Sequence, residues 1–191
     1  MRFRSSGAAL AYAAALLACG SVWAGPQTSS AASGAASAVW VPKELNFVYR
    51  GFTTKYSCDG LQERMRRILL QLGAREDLKV MRFGCLSVNA PETTPGVRII
   101  MHVLQPASGA AARTVAAQWK TVDVLADRDP SKAALDCELI AQLDREVLPL
   151  FATRQVDYSA ACPAYTVVVG GTRLKADVLV ADSAPLATAA R

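Results

Sequence analysis

Histidine is almost missing from this chain of 191 residues: His102 is the only one. Any His-based acid–base scheme therefore has a single imidazole to use. A zinc centre would have to gather most of its ligands from thiolates. Those are few and scattered, five cysteines with no CxxC among them. No Gly-rich phosphate loop, GxSxG, HExxH or acidic pair at a defined spacing is present, so nucleotide, serine-hydrolase and zinc-protease chemistry have no motif to rest on. After residue 24 no apolar run approaches the ~20 residues that span a bilayer, which excludes a polytopic membrane protein. Charge is thin as well. Lys plus Arg number 21 against 16 Asp plus Glu, a net +5 with 19% charged residues. That is too weak a field to suggest a nucleic-acid binder.

What is present begins with an address. Arg2 and Arg4 precede an uninterrupted apolar run from Ala8 to Ala18, the charged start and short apolar centre of a secretory signal peptide over residues 1–24. Two processing sites compete. Val22-Trp23-Ala24 offers small residues for cleavage before Gly25. Leu16-Leu17-Ala18-Cys19 resembles a lipobox, which would make Cys19 a lipid anchor. Loss of residues 1–24 removes Arg2 and Arg4 and lowers the net charge from +5 to +3. Residues 25–39 are rich in Ala, Ser and Gly up to Ala38 and read as a flexible linker. A single folded domain is expected over 40–181 and a disordered tail over 182–191. The membrane enters this reading only through the signal peptide or a lipid on Cys19.

With Cys19 set aside, Cys58, Cys85, Cys137 and Cys162 remain, and an even count in an exported chain reads as two disulfides. Four cysteines allow three connectivities, and an internal repeat argues for one of them. The first half reads as strand Leu45 to Tyr56, helix Leu61 to Leu72, strand Leu78 to Cys85 and strand Val97 to Leu104. The second reads as strand Ala117 to Leu125, helix Ser131 to Leu148, strand Gln155 to Cys162, a Gly170-Gly171 turn and strand Arg173 to Val180. Each half places one cysteine near the helix and one at the end of the next strand. Two βαββ repeats, 45–104 and 117–180, with pairs Cys58–Cys85 and Cys137–Cys162, follow. The fold class expected is α+β, a mainly antiparallel sheet with two helices on one face.

The helices carry the clearest pattern. Leu61, Met65, Ile68, Leu69 and Leu72 form one apolar stripe, with Asp59 as the expected cap and Gly73 as the stop. In the second helix Leu135, Leu139, Leu143 and Val147 repeat every four residues after Asp129-Pro130, and Pro149 should end it. Val97, Ile99, Met101 and Val103 alternate with Arg98, Ile100, His102 and Leu104, a strand apolar on both faces. Thr166 to Val169, the two glycines and Thr172 to Val180 suggest a tight hairpin.

No catalytic set, metal site or cofactor is assigned. His102 lies mid-strand with no nucleophile motif near it, and Asp127-x-Asp129 lacks the further oxygen ligands of a calcium loop. Tyr49, Arg50, Phe52 and Tyr56 give the first strand an aromatic, cationic character suited to contact with another chain. Arg64 and Arg67, with Arg66, make a basic cluster on the first helix that could meet an anionic surface, although Glu63 and Arg67 also form an ordinary i,i+4 pair.

The run Tyr49-Arg50-Gly51-Phe52-Thr53-Thr54-Lys55-Tyr56-Ser57-Cys58-Asp59-Gly60-Leu61, together with Asp136-Cys137-Glu138-Leu139 and Leu148-Pro149-Leu150-Phe151-Ala152-Thr153-Arg154, resembles the signature of a small secreted proteobacterial family of unknown function. The likeness covers about residues 45–180. It implies export from a Gram-negative cell and carries no activity or site with it. The expectation is an exported periplasmic, non-enzymatic domain that binds a protein or another envelope component. The rivals are a small enzyme built around His102 and a thiol or metal protein using Cys85 or Cys162.

Overall fold

A computed structural model describes residues 36–85, 90–108, 113–125 and 134–182. The signal peptide with Cys19, the linker as far as residue 35, Asp127 with Asp129-Pro130, and the tail from 183 lie outside the described residues. The elements are β1 (Ala36–Val48), β2 (Tyr56–Ser57), α1 (Cys58–Gln71), β3 (Lys79–Phe83), β4 (Pro91–Glu92), β5 (Gly96–Pro106), β6 (Val115–Asp123), α2 (Cys137–Glu146), a 3-10 turn (Leu148–Leu150), β7 (Thr153–Ala160) and β8 (Thr172–Ala181).

Six strands form one antiparallel sheet in the order β3-β5-β1-β6-β8-β7, and β2 and β4 make a small separate ladder. Each half is a βαββ unit whose last strand lies between its second and its first. The halves join through their first strands, Ala36–Ala38 running against Ala117–Val115. Ser37 faces Ala116 there, 79 positions away in sequence. The same separation relates Cys58 to Cys137, Trp40 to Trp119 and Arg75 to Arg154. A pseudo-two-fold axis therefore passes through the β1–β6 crossing. The repeat is present, but its register differs from the 45–104 and 117–180 halves: the units begin at Ala36 and Val115.

Both helices pack on one face. Leu61, Met65, Ile68 and Leu69 of α1 and Leu139, Ile140 and Leu143 of α2 share a core with Val97, Ile99, Met101 and Val103 of β5 and Leu174, Ala176 and Val178 of β8. The opposite face holds a smaller cluster of Ala38, Leu104, Ala117 and Leu179, flanked by Trp40 and Trp119. Among the described residues no helix packs on that face.

Several boundaries move, each for a local reason. Ala36 to Val39, expected as linker, belong to β1, because Ala38 and Ala117 are fully buried where the two halves cross and small side chains let the strands meet. The first strand ends at Val48 rather than Tyr56, since Tyr49 to Lys55 turn toward α2. Ser57, not Asp59, caps α1: its Oγ accepts the Gly60 N–H at 3.1 Å. Gly73 stops α1 as expected, with φ of 92° and the next N–H, that of Ala74, bonded to Leu69 O. In the second helix α2 ends at Glu146, and Pro149 sits in the 3-10 turn that follows. The expected hairpin at Gly170-Gly171 is replaced by pairing of β8 with β7, and Thr166 to Val169 lie in the connection between them.

The disulfides are Cys58–Cys85 and Cys137–Cys162, with Cα atoms 6.3 and 5.7 Å apart. Each joins the first residue of a helix to the chain just past the following strand. Loops of 27 and 25 residues are closed, about 3.5 kcal/mol apiece in the chain-entropy account.

Candidate functional site

The residues expected to contact a partner split into an enclosed group and an exposed one. Tyr49 is fully buried. Its hydroxyl shares one proton between two acceptors, Thr54 O at 2.9 Å and Glu138 Oε2 at 3.1 Å. The Tyr56 hydroxyl donates to Asp136 Oδ1, and the Arg64 guanidinium meets Asp136 Oδ2 at 2.9 Å. Burial, with the carboxylates of Glu138 and Asp136 beside them, pushes both phenols well above the ordinary tyrosine value. Arg64 is therefore no part of a solvated basic face. It sits three residues after Leu61 and four before Ile68, on the buried side of α1.

Glu138, at the start of α2, gathers the chain that leaves β1. Its oxygens accept from the N–H groups of Phe52 (2.9 Å), Thr53 (3.1 Å) and Thr54 (3.4 Å). Burial works against the charge, but these donors and the Tyr49 hydroxyl outweigh it and hold the carboxyl below its usual range. Gln142 closes the latch by accepting from Arg50 N–H and donating to Arg50 O. Gly51 is required by space: a Cβ there would lie 1.9 Å from the Tyr49 hydroxyl oxygen. The two sequence segments Tyr49 to Leu61 and Asp136 to Leu139 are thus two sides of one internal contact. Phe52 remains exposed and meets Tyr165 edge-on at 6.1 Å, and Arg67 pairs with Glu63 at 3.7 Å on the surface.

A second arrangement, absent from the sequence reading, lies at the β1–β6 crossing. The Arg75 guanidinium stands 5.6 Å over the Trp40 ring, and Arg154 stands 4.6 Å over Trp119. The two pairs are related by the internal symmetry. Arg154 also binds Asp177 at 3.1 Å, and Thr121 donates to the same carboxylate at 2.6 Å. That hydrogen bond from Thr121, then Arg154, holds Asp177 below the usual carboxylate range. At the equivalent place on β5 stands His102: Arg75 Nη2 lies 2.9 Å and Asp77 Oδ2 3.3 Å from its Nδ1. The Arg75 hydrogen bond lowers Asp77 to about 2. The signal available in the sequence was the 79-residue interval shared by Trp40/Trp119, Arg75/Arg154 and Cys58/Cys137.

Where the end of α1 meets β6 and β8, Trp40, Gln71, Arg75, Glu76, Gln118 and Lys120 line a cleft of about 390 Å³. That is within the size range of small-molecule sites. His102 does not line it. Among the described residues no group of three His, Cys, Asp or Glu side chains is placed to hold a metal ion, and no helix is long and apolar enough to cross a membrane.

These features define a two-unit α+β domain stapled by disulfides, and the two bridges indicate an oxidising, extracytoplasmic setting. No protein-family model, curated protein or solved structure matches the chain.

Proposed function

We propose that the chain is an exported domain of the cell envelope that works by binding rather than by catalysis. The signal-peptide pattern of residues 1–24 supports delivery to the periplasm, and Cys19 supplies a lipid anchor if the lipobox is the site used. The resemblance to a small secreted proteobacterial family agrees with this setting. The observation that carries the reading is the duplicated Arg-over-Trp pair, Arg75–Trp40 and Arg154–Trp119, at the junction of the two halves. Trp and Arg are the residues that most often anchor binding surfaces, and stacking fixes their side chains before a partner arrives. By contrast, the polar groups that share hydrogen bonds with Glu138 and Asp136 are spent on holding the halves together.

A photo-cross-linking residue at Lys120, beside Trp119, tests this in intact cells, with Glu63 on the outer side of α1 as control. A light-dependent adduct with an envelope component at position 120 and none at 63 is expected. Equal labelling at both positions, or none at 120, contradicts it.

An enzyme built around His102 is the rival reading, but Arg75 Nη2, a donor 2.9 Å from His102 Nδ1, takes that nitrogen as its acceptor and leaves no Nδ1–H for Asp77 at 3.3 Å. That reading requires an activity lost in His102→Gln, whereas the binding reading leaves adduct formation at position 120 intact in that variant. The thiol alternative meets closed bridges at Cys85 and Cys162.

A further inference from the structure

Two loops lie side by side at the start of α2, each fastened there by one of its residues. Glu138 accepts the Phe52 N–H at 2.9 Å, and Cys137 carries the bridge to Cys162, three positions before Tyr165. The rings of Phe52 and Tyr165 meet edge-on at 6.1 Å between centroids, yet both face solvent, 66% and 79% exposed. Val167, Val168 and Val169 are exposed in the same loop. Apolar side chains grouped on a surface in this way mark a site of contact. The backbone is strained in presenting them. Thr166 N–H donates to Pro163 O at 3.2 Å, closing a tight turn in which Tyr165 takes φ of 61°, the left-handed region normally left to glycine. Arg50 and Lys55 flank Phe52, both exposed, and among the described residues neither side chain forms an ion pair. Glu138 is turned inward, on the amides of Phe52 to Thr54 and the Tyr49 hydroxyl. No Asp, Glu, Lys or Arg occurs from Tyr158 to Thr172.

The geometry points to a lipid-binding surface: Phe52, Tyr165 and the valine run enter the boundary of an anionic phospholipid bilayer, with Arg50 and Lys55 on its head groups. Aromatic rings belong at that boundary, and cations beside them are drawn to anionic lipids. A second copy on the same patch would bring Arg50 and Lys55 against their own counterparts, because a two-fold contact places like surfaces together. An uncharged protein groove would leave both cations without a counter-charge. Neither loop offers a strand or helix here to order a protein partner, whereas a bilayer accepts side chains without any backbone register. This membrane contact needs no lipid on Cys19, and it lies on a different surface from the Arg–Trp pairs of the β1–β6 crossing.

The test uses the processed chain from Gly25, bridges intact and without lipid, in flotation with two kinds of vesicle. One is phosphatidylcholine alone, and the other is phosphatidylcholine mixed equally with phosphatidylglycerol. Binding to the mixed vesicles that weakens with salt, and far less binding to phosphatidylcholine alone, is the expected result. Arg50→Gln combined with Lys55→Gln should lower the partition coefficient about thirtyfold, about fivefold for each cation at an anionic surface. Tyr165→Gly should lower it about tenfold through the lost ring. Glycine takes φ of 61° without strain, so the turn survives that change. In Phe52→Trp the new indole should be quenched by brominated lipid, while Trp40 and Trp119 of the unaltered chain should not. No binding to the mixed vesicles overturns the inference. In that case a cross-linker at position 52 that captures a protein in cells assigns the patch to a protein partner, and a dimer lost in Tyr165→Gly assigns it to a second copy. Binding unchanged in both Tyr165→Gly and the double variant overturns it as well. The adduct at position 120 reports the other surface, so the two readings stand or fall separately.

Discussion

Arg64 and Asp136 meet at 2.9 Å with side chains 6% and 2% exposed, so the first helix of one half is ion-paired to the cap of the helix in the other. The pair links the two helices beside the core they share. Asp136→Asn leaves the guanidinium buried beside a neutral amide. A loss of about 3–5 kcal/mol in urea unfolding is expected. Arg64→Met combined with Asp136→Leu and Tyr56→Phe should recover much of that loss, because three apolar groups avoid the desolvation of the ions and leave no buried hydroxyl without the acceptor Asp136 supplied.

Glu138 makes the domain sensitive to acid. Its folded carboxyl titrates below the ordinary glutamate value, so the unfolded chain binds the proton more readily. The stability it contributes is complete above the ordinary value and is lost as pH falls through the folded one. Glu138→Gln should therefore flatten the decline in melting temperature below about pH 4.5. An unchanged acid slope in the variant would assign the decline to other carboxylates.

Tyr49 and Tyr56 act at the other end of the scale. Both folded pKa values are raised, so the stability linked to their neutral forms is whole below pH ~10 and is lost above it. Ultraviolet titration should show these two phenols ionising together with loss of the fold rather than in a separate earlier step. Tyr56→Phe should remove one proton from that transition.

Gly51→Ala tests the latch through space alone. The added methyl would collide with the Tyr49 ring, whose fully buried position gives it nowhere to move. A loss of about 1–3 kcal/mol is expected from such overpacking. Faster hydrogen exchange at the amides of Phe52, Thr53 and Thr54 should accompany it, since these are the donors Glu138 holds.

The helices, the two bridges and the duplication were legible in the sequence because each leaves a periodic or paired mark. The Leu61 to Leu72 stripe repeats at helical spacing, and the cysteine order repeats in both halves. The start of β1 was hidden because composition pointed the other way. A stretch of Ala and Ser looks unable to anchor a core, yet Ala38 and Ala117 are needed small where two strands cross. The charge of Arg64 points to a solvated face, whereas its register on the Leu61–Ile68 side buries it. The Arg–Trp pairs show only when the halves are superposed on Trp40 and Trp119, not on halves that begin at Leu45 and Ala117. The latch around Glu138 depends on contacts 84 to 86 residues apart, and local pattern carries no trace of those.

Two equivalent halves, each closed by its own bridge, in a domain we propose to be exported, require one pattern of cysteine linkage. Peptide mass mapping of the protein taken from cells, under non-reducing conditions with free thiols alkylated, tests it directly. The account predicts Cys58 linked to Cys85 and Cys137 linked to Cys162, no alkylated cysteine among the four, and an N-terminus at Gly25 or at a lipidated Cys19. Free thiols at these positions, a bridge between the halves, or a chain that keeps residues 1–18 would contradict it.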